Sequence, residues 1–140
     1  MLKLFLDSLT LEKAISGKCA VSELLAIPKS ELGIYADKED IEKLKESGKD
    51  NGIKRITAVN RPKKKDIERF KEFIKNEDMQ TTLASYMRTD CSYLVTSNRE
   101  FLRKVGNAVT PREVVEIVKK KGIFKERKEK ERKEKKCGKR

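Results

Sequence analysis

The chain of 140 residues contains no histidine. Ser-His-Asp and Cys-His catalysis are therefore excluded, because each needs an imidazole to carry the proton. A general base that works near neutral pH must instead be a carboxylate, a lysine, a tyrosine or a metal-bound water. If the chain is a hydrolase, carboxylates that hold a hard metal ion are the natural remaining solution.

Cysteine is scarce as well. Cys19, Cys91 and Cys137 lie far apart, are odd in number and form no Cys-x-x-Cys pair. Without histidine and without closely spaced cysteines, zinc fingers and zinc knuckles are excluded. A disulfide framework is equally disfavoured, and three reduced thiols in a cytosolic protein are the expected state.

Aromatic residues and long apolar runs are also rare. Aromatics make up 6% of the chain and tryptophan is absent, which argues against a base-stacking platform for single strands. No apolar run approaches the roughly 18 residues that span a bilayer. The N-terminal segment MLKLFLDS lacks the apolar region of a secretory signal. These features predict a soluble, cytoplasmic protein with no membrane partner.

Positive charge is concentrated at the C-terminal end. Residues 119–140 contain 13 Lys or Arg and 4 Glu, so they carry +9 of the net charge of +12. This segment has almost no apolar residue with which to bury a face, so we expect a domain over residues 1–118 and a flexible or helical tail after it. An arm that neutralises phosphates is favoured over a purely solubilising tail. The predicted nucleic-acid-binding residues are Lys119, Lys120, Lys121, Lys125, Arg127 and Lys128.

Strand and helix patterns alternate along residues 1–118. Residues 2–7 (LKLFLD) predict a buried strand, and Ser8 or Thr10 is expected to cap the helix that Gly17 closes. Residues 19–27 fit a strand or a helix. Further helices are predicted from Ser30 onward, over 37–47, 65–76, 81–87 and 99–104 and after Pro111, and further strands over 53–59, 92–96 and 108–110. The alternation predicts an α/β fold, a three-layer α/β/α domain with a short parallel central sheet.

Ligands of open parallel sheets bind at the carboxyl ends of the strands, near a point where the strand order reverses. Asp7 ends the first predicted strand, and residues 96–98 follow a later one. A strand-ending aspartate can bind a hard cation or cap the next helix, and position alone leaves both roles open. Asp78 opens a helix, where interaction with the helix dipole is the simpler explanation.

Residues 76–118 (NEDMQTTLASYMRTDCSYLVTSNREFLRKVGNAVTPREVVEIV) resemble the C-terminal half of a PIN domain. The matching features are Asp78 at the start of an apolar helix, a short strand ending at Thr96, Asn98 two positions further on, and then Phe101. The segment LFLDS resembles the opening strand of the family, whose aspartate is here Asp7. The resemblance covers about residues 3–118 and implies a metal-dependent ribonuclease.

The resemblance also implies a site. Family members gather acidic side chains at one end of the sheet, and these bind Mg²⁺ or Mn²⁺, which activates a water for in-line attack on a phosphodiester. Asp7 and Asp78 would be metal ligands, and Ser8 and Thr96 would be supporting hydroxyls. This chemistry needs no histidine.

Two positions of the family pattern are unsettled in this chain. The glutamate of the second helix is Glu31 (SELG) by its spacing to the strands, with Glu23 (SELL) as the alternative. The fourth acidic position is Asn98, which adds no negative charge, and Leu9 stands where a polar residue is usual. The catalytic set implied by the resemblance is Asp7, Glu31, Asp78 and Asn98.

Three functions follow from these patterns. The first is a metal-dependent endoribonuclease, either an RNA-processing enzyme or a toxin-like protein that forms a homodimer and is blocked by an antitoxin-like partner. The second is a catalytically weak or inactive PIN-like module that binds RNA through its basic tail. A receiver-like domain is third, because it would need a paired acidic cluster after the first strand and a lysine after the last, and neither stands out.

Removal of the tail after Gly122 should weaken the binding of single-stranded RNA and flatten its dependence on salt, because each lost phosphate contact lowers the slope by about one unit. Titrations of the full and shortened chains with labelled RNA at several salt concentrations measure both quantities. An unchanged salt slope would remove the proposed role of the tail.

Overall fold

The structure, a computed structural model, describes residues 1–49 and 52–122. Its five strands form one all-parallel sheet in the order β3-β2-β1-β4-β5. The strands are β1 (Leu2–Leu6), β2 (Leu32–Asp37), β3 (Thr57–Val59), β4 (Tyr93–Val95) and β5 (Ala108–Val109). The helices are α1 (Ser8–Ile15), α2 (Lys38–Glu46), α3 (Lys64–Glu68), α4 (Glu77–Arg88), α5 (Arg99–Lys104) and α6 (Pro111–Lys120), with two 3₁₀ helices at Ala20–Ala26 and Ile53–Arg55.

Both faces of the sheet are covered. Successive side chains of a strand point to opposite faces, and in β1 Leu4 and Leu6 pack with α1, α2 and α6 whereas Phe5 packs with α4 and α5. The ring of Phe5 meets that of Tyr86 edge-on, with centroids 6.2 Å apart. The predicted three-layer α/β/α architecture with a parallel central sheet is confirmed.

The register of the sheet aligns the strand ends. In β1, Phe5 is level with Tyr35 of β2, and Leu6 is level with Val95 of β4. The next residue of each strand extends the same alignment, so Asp7 lies between Asp37 on one side and Thr96 on the other. The backbone N–H of Asp7 still donates to the carbonyl of Val95, at 3.3 Å. One edge of the sheet therefore carries the polar residues that end three neighbouring strands.

The strongest local signals in the sequence are confirmed. Strands β1, β4 and β5 and helices α4, α5 and α6 form where the patterns predict them. Helix α6 begins with Pro111, and the side chain of Thr110 accepts a hydrogen bond from the N–H of Glu113 while Glu113 reaches back to the N–H of Thr110. Helix α1 is capped by Asp7, not by Ser8 or Thr10.

The middle of the chain differs from the prediction. The region expected to be helical from Ser30 onward contains β2, because the run LGIYA is apolar throughout, as in a strand buried on both faces. Residues 19–27 contain a 3₁₀ helix, and of residues 53–59 only Thr57–Val59 pairs with the sheet. The helix expected over residues 65–76 ends at Glu68. Turns follow it, and they bury Ile74 fully while Phe73 stays 42% exposed.

The basic residues near the C-terminus are described only in part. Helix α6 starts beside the carboxyl end of β5 and returns across the sheet, where Ile117 joins the cluster that contains Leu2. Lys119 and Lys120 end this helix and Lys121 follows it. Lys125, Arg127 and Lys128 lie outside the described residues. Among the described residues, no helix combines the length and the apolar character that crossing a membrane requires.

Substituting Thr110→Ala should lower the free energy of unfolding by about 1 kcal/mol, because it removes the acceptor of the capping box at the start of α6. Urea denaturation monitored by circular dichroism measures the change. The control is Thr81→Ala, since Thr81 donates to the carbonyl of Glu77 within α4 and caps no helix. Equal stability of the two variants would contradict the capping role.

Candidate active site

The strand order reverses between β1 and β4, which opens a crevice at the carboxyl ends of these two strands. Asp7 lies at this point and is buried. Its Oδ2 accepts a hydrogen bond from the hydroxyl of Thr96 at 2.5 Å, and its Oδ1 accepts one from the N–H of Thr10 at 2.9 Å. Asp7 therefore caps α1 and also presents a fixed carboxylate at the crevice. The two roles that the sequence left open are compatible.

Asp37 is the second buried carboxylate of this edge, and the sequence analysis did not identify it. Ser85, on α4, donates a hydrogen bond to its Oδ1 at 2.5 Å. Asp37 precedes α2 but makes no side-chain capping bond to that helix. Burial raises the pKa of Asp37 to about 6, and the negative charges of Asp40 and Glu39 act in the same direction. This carboxylate is held where its ionised form is unfavourable.

Asp40 is the third carboxylate, in the first turn of α2. Its pKa is raised, first by burial and then by the charges of Asp7 and Glu39, while Lys43 and a hydrogen bond from Ser8 oppose the shift. The charge of Asp7 raises the pKa of Asp40, and the charge of Asp40 in turn raises the pKa of Asp37. The edge therefore concentrates negative charge that the protein itself does not neutralise completely.

Asp78 and Asn98 form the rim of this edge, outside the row of strand-ending residues. Asp78 is exposed in the first turn of α4, seven residues before Ser85, which is about 10 Å along the helix. Asn98 caps α5: its Oδ1 accepts from the N–H groups of Glu100, at 2.9 Å, and Phe101, at 3.2 Å. Its Nδ2 lies 3.6 Å from the sulfur of Met79, next to Asp78. The N–H of Asn98 donates to the hydroxyl oxygen of Thr96 at 3.0 Å, so this rim lies next to the strand end that carries Thr96.

The two candidate glutamates are elsewhere. Glu31 is exposed and immediately precedes β2, so it stands at the amino end of a strand whose carboxyl end carries Asp37. Glu23 is exposed on the 3₁₀ helix Ala20–Ala26, which packs against α1 and α6 in the outer layer. The structure therefore does not bring Glu31 to the edge where Asp7 lies, and it places Glu23 on an outer helix and not at a strand end.

The oxygen donors at this edge suit a hard cation. Carboxylates and hydroxyls are the ligands that Mg²⁺ and Mn²⁺ prefer. Within residues 1–49 and 52–122, no three histidine, cysteine, aspartate or glutamate side chains form a group that could hold a metal ion. Mg²⁺, however, commonly binds through one or two carboxylates and completes its shell with water and substrate phosphate. The donor chemistry therefore fits a partly hydrated ion and not a closed cage.

A signal for Asp37 was present in the sequence. The segment LGIYAD repeats the form of LKLFLD: an apolar run, a terminal aspartate and then a helix. Reading both segments as buried strands would have placed Asp37 beside Asp7. Asp40 carries no comparable signal, because a charged residue in the first turn of a helix is commonplace.

Comparison with known proteins found no family model, no curated protein and no solved structure that matches the chain. What the edge can do chemically follows from its own side chains. Asp7, Asp37 and Asp40 can bind a cation or exchange protons, and hydroxyl donors hold the first two in place.

Asp37→Asn should stabilise the protein at neutral pH. The raised pKa means that the folded state favours the protonated carboxyl. In the wild type, the stability that accompanies protonation of Asp37 is therefore fully present below about pH 4 and is lost as the pH rises through about 6. At pH 7.5 the variant should exceed the wild type by about 1–3 kcal/mol in free energy of unfolding. The gain should nearly vanish at pH 3.5, as urea denaturation at the two values would show.

The matched control is Glu42→Gln, which changes an exposed carboxylate of α2, the helix that follows Asp37. It should leave stability within about 0.5 kcal/mol at both pH values. If Asp37→Asn were less stable than the wild type at pH 7.5, the buried carboxylate would be a net stabilising group and the inferred environment would be wrong.

Proposed function

We propose that this protein is a metal-dependent endoribonuclease that hydrolyses RNA phosphodiester bonds at the carboxyl edge of its sheet. The observation that carries the proposal is that Asp7 and Asp37 end neighbouring strands at the same level, beside the reversal of strand order, with Asp40 close enough for its charge to act on Asp37. The resemblance of residues 3–118 to PIN domains supports the same reaction class. The absence of histidine agrees with it, since carboxylate and metal chemistry needs none.

Each side chain has a role in this proposal. Asp7 binds the cation, and Thr96 fixes its orientation. Asp37 or Asp40 supplies the acidic group that the sequence analysis assigned to Glu31. Asp78 approaches from the rim, where it can bind the ion directly or through water. A bound Mg²⁺ or Mn²⁺ would supply Lewis-acid stabilisation of the phosphate and a water of lowered pKa.

The electrostatics of the edge favour cation binding. Burial raises the pKa of Asp37 and of Asp40, and the negative charges of neighbouring carboxylates raise both further. A bound divalent cation would oppose this effect, because its positive charge favours the ionised form of the carboxyl groups. Proton release on metal binding is therefore expected.

A second function is favoured by different observations. Asn98 adds no charge, and its Oδ1 is already engaged in capping α5. Asp78 lies well above Asp37 along α4. These features suit a PIN-like module that binds RNA, with the basic tail as its main contact, and cleaves it weakly or not at all. The homodimer and the antitoxin-like partner implied by the resemblance stay predictions under either function.

Asp7→Asn and Asp78→Asn should abolish the cleavage of a generic single-stranded RNA in Mn²⁺ without unfolding the protein, because each removes a charge from the proposed ion site. Gel analysis of the products, with EDTA as the metal-free control, measures the loss. A fall of about 100-fold or more is expected when a group that acts on the transition state is removed. Asp37→Asn should reduce the rate too.

Glu31→Gln is the matched control, since it removes a carboxylate from the opposite edge of the sheet. It should leave cleavage unchanged. If Glu31→Gln stopped cleavage while Asp7→Asn did not, the site would have to move to the amino edge. If the wild type bound RNA but never cleaved it, the binding module would replace the enzyme.

A further inference from the structure

One arginine stands among the acidic residues of the edge. Arg61 follows β3, and its Nη1 donates to both carboxylate oxygens of Glu39, at 2.9 and 3.1 Å. The pKa of Arg61 is raised, first by this bond to Glu39 and then also by the charges of Asp37 and Asp78, so the guanidinium lies near both the buried carboxylate and Asp78. An anionic ligand at the edge would meet a cation there.

Arg61 also lines the mouth of a cleft. The cleft, of about 530 Å³, runs between residues 61–71, which include α3, and the start of α4. Its lining holds three cations and three carboxylates: Arg61, Lys64 and Lys71, and Glu68, Glu77 and Asp78. A strand of nucleic acid lying in it would meet the three cations with its phosphates.

The positive charge of the domain is concentrated in the segment beside this cleft. Residues 61–75 (RPKKKDIERFKEFIK) contain seven Lys or Arg and three Asp or Glu, a net charge of +4. Residues 1–118 together carry only +3. The segment beside the cleft therefore holds the whole positive excess of the domain, apart from the tail.

The partner that Arg61 has in this structure is easily exchanged. The Arg61 and Glu39 side chains are 58% and 48% exposed, and such ion pairs contribute little to stability because water screens them. A guanidinium binds phosphate with two parallel hydrogen bonds, which are stronger than a neutral pair and fix orientation. A phosphate that enters the cleft can therefore compete with Glu39 for the same group.

We infer that Arg61 exchanges Glu39 for a backbone phosphate of single-stranded RNA lying in the cleft between α3 and α4, and so positions the strand over Asp37 and Asp7. The inference rests on the proposed function for the identity of its substrate. The binding step itself needs neither metal nor cleavage. Glu39 acts in it as an internal competitor, because it occupies Arg61 when no RNA is bound.

The test is fluorescence anisotropy of a labelled single-stranded RNA with the full chain in EDTA. Arg61→Ala should weaken binding about 5–20-fold and lower the salt slope by about one contact. Glu39→Gln should tighten binding about 2–5-fold, since it frees Arg61 for the phosphate. That gain should vanish in the double variant, because a double-mutant cycle isolates the coupling between the two residues.

Arg103→Ala is the matched control, since Arg103 is an exposed arginine in the last turn of α5. It should stay within about 2-fold of the wild type if the effect is specific to Arg61 and not to net charge. Equal weakening by Arg61→Ala and Arg103→Ala would overturn the inference. So would a gain from Glu39→Gln that persists without Arg61.

Two further measurements, the binding of DNA and the cleavage of RNA, distinguish a failure of the role of Arg61 from a failure of the proposed enzyme. DNA of the same sequence should also lose affinity with Arg61→Ala, because the contact is to phosphate; a loss confined to RNA would overturn the inference. If the binding pattern holds but no protein cleaves RNA in Mn²⁺, the proposed enzyme fails and the role of Arg61 stands. If cleavage occurs and Arg61→Ala leaves binding unchanged, the enzyme stands and the role of Arg61 fails.

Discussion

The hydrogen-bonded register of β1 with β2 and β4 determines where every acidic side chain of the edge lies. Because β1 is the central strand, its pairing sets the level of both neighbours at once. A shift of one residue in either pair would turn a whole strand over and move its final side chain to the opposite face. Asp7, Asp37 and Thr96 therefore share one face only while Leu6 keeps its partners. Leu4, Phe5 and Leu6 are all fully buried, so a slip would force each of them into the packing of the opposite layer.

The same edge holds a buried carboxylate that the stability of the fold does not require. Asp37 is buried against α4 with a single serine donor, and the nearby guanidinium of Arg61 pairs with Glu39. A protein selected only for stability would replace such a carboxylate with an amide or an apolar group. A buried carboxylate whose ionisation is unfavourable, at the end of a strand, is typical of functional sites. The crowding of Asp40 beside it strengthens the case.

The sequence predicts the two ends of the domain better than its middle. Strand β1 and helix α6 carry local signals, namely an apolar run before Asp7 and a threonine cap before Pro111. Strand β2 carries none of the alternation that marks a half-buried strand, and only Ile34 and Tyr35 are β-branched or aromatic. In the structure Gly33 has a packing reason, since a Cβ there would lie 2.8 Å from Cε1 of Tyr35. Missing β2 made Asp37 look like a helix start and left Glu31 as the acidic candidate, because pairing between distant strands is not encoded in any local pattern.

The direction of α6 has a consequence for the size of any nucleic acid that contacts the whole molecule. This helix begins at the acidic edge and ends with Lys119 and Lys120 about 15 Å away along its axis, towards the amino ends of the strands. A ligand held by both the edge and the first lysines of the tail must therefore run along the flank of the domain. A dinucleotide is too short for this path, whereas a longer strand can follow it. Under the proposed function, the length of this helix sets the shortest RNA that can contact both the edge and the tail.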